Sequence, residues 1–298
     1  KTKNSTVFSL LLLVTITSSL FAQEKNTANQ NTQLITNIQL IDGTGKPAYS
    51  ASVRIQGKKI MELGQLKAGT NEQVIDGKGL VLAPGFIDSH SHHFGDLDDH
   101  PEAIPTNSQG ITTIIIGQDG GSYAMDSLTK MFKEHSMAVN VGTYTGQGTL
   151  REEVMGENDV YREASQVEID KMKIILQKEL EKGSLGLSTG LEYEQAFFSS
   201  KDEVIQLAQV TAAAKARYMS HIRSEDIRFQ DAIDEIIEIG RVTKMPVQIS
   251  HIKIALKDDW ETSKALITKL EKARAAGINI TADVYPYTYW NSTLRVLF

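Results

Sequence analysis

From Val81 onward the chain alternates short apolar runs with longer amphipathic stretches, and this rhythm constrains its fold more than any single motif does. The apolar runs are Val81 to His92, Ile111 to Gly117, Ala138 to Tyr144, Leu185 to Thr189, Tyr218 to Ile222, Val247 to Ile252 and Ile278 to Val284. Helical periodicity is best defined at Gln166 to Lys182, Ser200 to Ala216, Gln230 to Thr243 and Thr262 to Ala276. Apolar runs followed by helices are the pattern of βα units around a buried parallel sheet. The expected fold class is therefore α/β, a TIM-like (β/α)8 barrel spanning residues 82–298 with seven of its eight units present. The eighth strand and closing helix would lie beyond Phe298. Because an open barrel leaves unpaired edges, and because residue 1 is Lys and not Met, the sequence reads as a fragment of a longer protein.

Ahead of this region, residues 33–81 carry short alternating runs broken by turn residues, among them Asp42-Gly-Thr-Gly45 and Gln56-Gly-Lys-Lys59, and read as a small β module. Residues 1–22 have the form of a signal peptide: Lys1 and Lys3, an apolar stretch from Val7 to Phe21, and a small residue, Ala22, before polar sequence. That stretch falls short of the roughly 20 residues a membrane span needs, so export is expected over a retained anchor. Residues 23–32 form a polar linker. The net charge of −6 provides no basic stripe and argues against a nucleic-acid partner. Cysteine is absent, so disulfides, thiolate nucleophiles and Cys-ligated metals are excluded, and any metal must rest on oxygen and nitrogen ligands.

Chemistry gathers at one end of the apolar runs. His90 and His92 close the first run in Ile-Asp-Ser-His-Ser-His-His, and side chains two apart on an extended chain share a face. Asp119 follows the second run in Gly-Gln-Asp-Gly-Gly, and His221 and His251 close the fifth and sixth. Taken singly, His-x-His could be two polar residues at a strand end, and Asp119 could cap a helix over Ser122 to Met131. Together, five metal-competent side chains converge on the rim where barrel active sites lie. His93, on the opposite face from His92, His100 in a loop and His135 at a helix end read as structural or solvated.

These residues sit in segments that resemble the amidohydrolase superfamily, and within it the N-acyl-D-amino-acid deacylase (D-aminoacylase) branch. The segments are Pro84-Gly-Phe-Ile-Asp-Ser-His-Ser-His92, Gln109-Gly-Ile-Thr-Thr113, Gly186-Leu-Ser-Thr-Gly-Leu-Glu-Tyr193, Ser220-His-Ile-Arg-Ser-Glu225, Ser250-His-Ile-Lys253 and Asp283-Val-Tyr-Pro-Tyr287. The resemblance implies one or two zinc ions, with His90 and His92 at one position and His221 and His251 at the other. It places Asp119 where that branch usually has a bridging cysteine, and a carboxylate can bridge two ions as a thiolate does. It implies that the β module belongs to a β-sandwich completed beyond Phe298, and that the catalytic Asp comes from the missing eighth strand, so that this chain alone would be inactive. Asp283 belongs to its own motif and is not a substitute.

The resemblance further implies that Tyr193, Lys253 and Tyr285 meet a substrate carboxylate, although Lys253 reads equally as a solvated loop charge and the tyrosines as rim packing. Arg223 is a further substrate-binding candidate; it and Glu225 could contact substrate or pair with each other. The implied activity is removal of the acyl group from a small N-acyl-D-amino acid by metal-activated water. The preference for D over L rests on the resemblance alone. A cyclic-amide or dipeptide hydrolase, of dihydroorotase or isoaspartyl-dipeptidase type, is the nearest alternative. It would call for a carboxylated lysine in the run at Leu185, where the sequence has none. An exported, non-catalytic binding protein is the alternative outside enzymes. Oligomeric state is not legible.

Overall fold

The computed structural model describes residues 32–292, which form two compact units divided between Pro84 and Gly85. The expected signal peptide and all of the expected linker except Thr32 lie outside the described residues. Thr32 is not linker: it opens the first strand.

The first unit is a single five-stranded sheet built from β1 (Thr32–Leu40), β2 (Tyr49–Gln56), β3 (Lys59–Gly64), β4 (Gln73–Asp76) and β5 (Val81–Leu82). β3, β2 and β1 form an antiparallel meander, while β4 and β5 lie end to end along the other edge of β1, both parallel to it. Ile38, Leu40, Ala51 and Val53 form its buried cluster. The register of β1 against β2 slips between Ile35 and Ile38, where Asn37 takes φ 53°, the signature of a bulge that turns the strand. Among the described residues this unit is one sheet and not the expected sandwich.

The second unit opens with β6 (Phe86–Asp88) and two single-turn helices, α1 (Phe94–Leu97) and α2 (Ile104–Asn107). There follow β7 (Ile111–Ile116), α3 (Met125–Glu134), β8 (Asn140–Thr143), β9 (Thr145–Gly146), α4 (Gln147–Met155), α5 (Gln166–Glu181), β10 (Gly186–Gly190) and α6 (Lys201–Ala213). β11 (Arg217–His221), α7 (Phe229–Thr243), β12 (Val247–Ile249), α8 (Ser263–Ala275) and β13 (Ile280–Ala282) complete it. All strand pairs are parallel, in the orders β6-β7-β8 and β9-β10-β11-β12-β13. Only Tyr144 separates β8 from β9; its N–H bonds Ile116 O at 3.0 Å while Leu185 N–H bonds Thr143 O at 2.8 Å. One extended segment thus changes partner midway, and the parallel strands run in chain order. Their C-terminal ends therefore share one edge, as the pairing of Gly190 with His221 shows.

The core follows from the periodicity. Leu187, Tyr218, Val247 and Ile249 of the sheet meet Met172, Leu176, Leu207, Ile233, Ile236 and Ile239 of the helices, all at most 2% exposed. Each such side chain contributes about 2 kcal/mol by its burial. α5 shows why its sequence starts a helix where it does: Ser165 Oγ accepts from Glu168 N–H, the Glu168 carboxylate accepts from Ser165 N–H, and Ile169, Met172, Leu176 and Leu180 then line the buried face. Ser165→Ala removes one half of this box and is expected to lower stability by about 1 kcal/mol. A urea midpoint unchanged from wild type would contradict that role for Ser165.

Two expectations are corrected here. The run from Val81 to His92 is not one strand: Val81–Leu82 belongs to the first unit's sheet, and after Ala83-Pro84-Gly85 the chain resumes as β6 beside β7. α4 was not foreseen, because its buried face is largely polar: Gln147, Gly148 and Arg151 beside Leu150 and Met155. Among the described residues no helix is long and apolar enough to cross a membrane.

Candidate metal centre

Five side chains from four strand ends meet at the C-terminal edge of the second unit's sheets. Just past β6 the chain bends at Ser89 and His90, where Asp88 Oδ1 accepts from His90 N–H at 3.1 Å, and Ser91 N–H then bonds Ile115 O at 2.9 Å. Ser91 is buried at 2% exposure, and His90 and His92 lie together with ring centroids 5.1 Å apart. Asp119 follows β7, His221 is the last residue of β11, and His251 lies two residues past β12. Asp119 (φ 57°) and His251 (φ 33°) both have left-handed backbone, a conformation that costs energy in a residue with Cβ and that collects at functional sites. Asp119 does not cap a helix, since α3 starts at Met125 behind Ala124.

What holds Asp119 is glycine. A Cβ built on Gly190 would lie 2.1 Å from Asp119 O, and one on Gly146 would lie 2.2 Å from Gly120 O. The Asp119 loop therefore rests backbone against backbone on β9 and β10, an approach open only to residues without Cβ.

Among the described residues the ligand-type atoms form three groups, two of which share Asp119, while the third joins Glu192, His221 and Glu225. In the first, His90 Nε2 and His92 Nε2 are 3.2 Å apart, and Asp119 Oδ2 lies 3.3 Å from the one and 3.2 Å from the other. In the second, His221 Nδ1 and His251 Nε2 are 3.0 Å apart, and Asp119 Oδ1 lies 3.6 Å from His251 Nε2. A tetrahedral ion with bonds of 2.0–2.1 Å sets its ligand atoms about 3.3 Å apart, so the first triangle has the edges such an ion requires. Asp119 Oδ1 is buried with no hydrogen-bond partner among the described residues, the expected state of an oxygen that takes a cation in place of a proton donor. The donor set of imidazole and carboxylate suits a divalent ion such as zinc. On these three grounds the residues fit a metal.

Three of the four imidazoles are also backed by a carboxylate at their other nitrogen. His90 Nδ1 meets Asp283 Oδ1 at 3.2 Å, His221 Nε2 meets Glu192 Oε2 at 2.9 Å, and His251 Nδ1 meets Glu225 Oε1 at 2.9 Å. This is how proteins orient metal-ligating histidines. Burial disfavours the charged form of His90 and His251, but the hydrogen bonds their rings donate to Asp119 and to Asp283 or Glu225 outweigh it and raise the imidazoles to about 9 and about 8. Burial pushes the Asp119 carboxyl up, and its three histidine neighbours more than reverse this, holding it far below the usual range. The site is thus built to stabilise positive charge. Asp283 has no free oxygen for proton transfer, since Oδ1 also accepts from His251 N–H at 2.6 Å and Oδ2 from Gln248 at 2.7 Å.

The groups open into a cavity of about 1180 Å³ that is also lined by Tyr193, Lys253, Tyr285, Tyr287, Tyr289 and Trp290. Tyr193 packs on His221 with ring centroids 4.4 Å apart. Burial, then the nearby carboxylates, hold its phenol well above the ordinary value, so it remains a hydroxyl donor. The Lys253 ammonium is anchored by Glu225 and lies 5.6 Å from the Tyr285 ring centre. Arg223 is a correction. It does not line this cavity and does not pair with Glu225; its guanidinium makes a two-point bond to Glu235 of α7, at 2.8 and 2.9 Å, and donates to Ser199 O at 3.0 Å. His93 bonds Ser91 Oγ, while His100 and His135 lie near Glu102 and Asp98, and none joins the centre. Glu192 was not singled out from sequence. Its only signal is position, two residues past the end of β10 on the edge where the ligands gather.

The chain belongs to the amidohydrolase family, whose model matches residues 73–296. It is 35% identical to an N-acyl-D-aspartate deacylase of Alcaligenes xylosoxydans xylosoxydans over 88% of this chain and 57% of that protein. It superposes on the crystal structure of D-aminoacylase with a TM-score of 0.80 and 32% identity, over 86% of this chain and 58% of that one. On the structure of N-acyl-D-glutamate deacylase from Bordetella bronchiseptica, complexed with zinc and a phosphonate mimic of the reaction's tetrahedral intermediate, the TM-score is 0.81 at 29% identity, with the same coverage. The chain thus spans a little over half the length of these relatives.

Proposed function

We propose that this chain carries the metal centre of a zinc-dependent amidohydrolase that removes the acyl group from N-acyl-D-amino acids. The observation that carries the reading is Asp119, placed between two histidine pairs with one buried oxygen lacking any hydrogen-bond partner among the described residues. His90, His92, His221 and His251 would complete the ligand set for one or two ions. The neighbouring cluster, four carboxylates (Asp119, Glu192, Glu225, Asp283) and one ammonium (Lys253), has the charge balance that favours divalent cations. When bound, zinc supplies polarisation of the acyl carbonyl and lowers the pKa of water toward neutrality.

The chain's own side chains supply the rest. Lys253, held in place by Glu225, and the protonated hydroxyls of Tyr193 and Tyr285 offer charge-assisted hydrogen bonds to the substrate carboxylate. Tyr285, Tyr287 and Trp290 line the same cavity beside Lys253 and offer apolar surface to the rest of the substrate. Proton delivery to the leaving amine falls to the Asp that the family resemblance assigns to a further strand. That strand would close the consecutive parallel strands into a (β/α)8 barrel, and the first unit's sheet, with Ile60, Met61, Leu63 and Val74 49–67% exposed, would be one layer of a sandwich. Export through the N-terminal segment completes the proposal.

No lysine lies on β10, the place where a cyclic-amide hydrolase of the runner-up type would carry its carboxylated bridge. The test is hydrolysis of paired N-acetyl-D- and N-acetyl-L-amino acids by the full reading frame supplied with zinc, beside His221→Ala. Turnover of the D series alone, lost in the variant, is the expected result. Turnover of cyclic amides or dipeptides in its place would support the runner-up, and zinc-independent binding without turnover a binding protein.

A further inference from the structure

The carboxylates behind the histidines are not equivalent. Asp283 divides its oxygens among His90, His251 N–H and Gln248, and Glu225 is shared between His251 and Lys253. Glu192 gives Oε2 to His221 Nε2 at 2.9 Å, while its Oε1 accepts from Glu225 N–H at 3.2 Å. The pairing follows from strand register: Gly190 lies beside His221, Leu191 N–H bonds His221 O at 3.1 Å, and Glu192 comes next. A carboxylate only accepts, so the proton of the neutral imidazole must sit on Nε2, which leaves the Nδ1 lone pair on the side of His251 and Asp119. The Tyr193 ring against His221 opposes a flip of the imidazole.

We propose that Glu192 is a positioning residue that holds His221 in its Nε2–H tautomer and so aims Nδ1 at the metal position it shares with Asp119 and His251. This rests on the metal reading above. Removing a carboxylate of this kind weakens metal binding by about 10–100-fold. The effect is graded by chemistry: Glu192→Ala removes the acceptor, whereas Glu192→Gln keeps an amide oxygen able to accept from Nε2–H and should lose less.

Zinc affinity of the metal-free full-length protein and both variants, measured against a chromogenic chelator with melting temperatures recorded alongside, tests this. ¹⁵N chemical shifts of His221 in the zinc form report the tautomer directly. The expected results are a loss of zinc affinity in the order Ala greater than Gln, at melting temperatures that show both variants folded, and a wild-type His221 protonated at Nε2 with metal at Nδ1. If Glu192→Ala is too unstable to purify, the Gln variant and the wild-type spectrum still decide. Wild-type affinity in the variants, or metal at Nε2, overturns the role of Glu192 and leaves the metal site standing. A wild type that takes up no zinc removes the site and the proposal together.

Discussion

Asp119→Ala is expected to lower turnover by on the order of a thousandfold or more, equivalent to about 4 kcal/mol of transition-state stabilisation, and to reduce bound zinc. The size follows from position. Asp119 is the one side chain common to the two groups that hold the histidine pairs, and it touches or approaches His90, His92 and His251 within 3.2–3.6 Å. Its loss therefore affects both metal positions together and leaves several imidazoles facing one another. Asp119→Asn preserves shape and one oxygen but not the charge, and is expected to recover little. Asp119→Cys supplies an anion that can bridge, and is expected to restore much of the zinc content. Metal analysis of the three purified variants checks the order. An alanine variant with full zinc and turnover within tenfold of wild type would remove Asp119 from the centre.

Glu203→Ala should carry the largest stability effect, about 3–5 kcal/mol, with a fall in melting temperature on the order of 10 °C. Arg151 and Glu203 are both fully buried, and the guanidinium is satisfied on every side: Glu203 Oε2 at 2.5 Å, Gln195 O at 2.8 Å, Val160 O at 2.9 Å and Arg162 O at 2.6 Å. Gln147 donates to the other Glu203 oxygen at 2.6 Å. Removing the carboxylate leaves an uncompensated cation in the interior, a far larger penalty than losing a surface pair. Glu203→Gln, which keeps most of the hydrogen bonds, should fall between. A denaturant midpoint for Glu203→Ala within the range of ordinary surface substitutions would show that this pair does not stabilise the fold.

That buried pair also shows where sequence reasoning stops. α5 was legible to within a residue because its capping box and its apolar stripe are both local, carried by Ser165, Glu168 and the residues that follow. The strands were legible because a sheet covered on both faces must be apolar throughout. α4 has no such stripe: Arg151 is buried only because Glu203, 52 residues later, meets it, and no local pattern encodes that distance. The same reason separates Lys253 from Arg223. Each follows a histidine of the centre by two residues, Arg223 after His221 and Lys253 after His251, but Glu225 holds Lys253 at the cavity while Glu235 draws Arg223 toward α7. The five metal-competent residues were readable because strand ends fix their positions whatever their partners are. The carboxylates behind them were not, since an acidic residue just past a strand has the same local signature whether it orients an imidazole or faces water.

The contact of the Asp119 loop with Gly146 and Gly190 has a consequence for how this scaffold can change. Because main chain touches main chain there, with the Ser188 hydroxyl of β10 also accepting from Gly120 N–H, the position of Asp119 is set chiefly by the backbone of the sheet. Tyr285, Tyr287 and Trp290, which also line the cavity, meet one another and Lys253 through their rings. Substitutions at these rings can therefore alter which molecules fit without moving Asp119, so selectivity can be re-engineered as a separate module while the metal geometry is inherited intact.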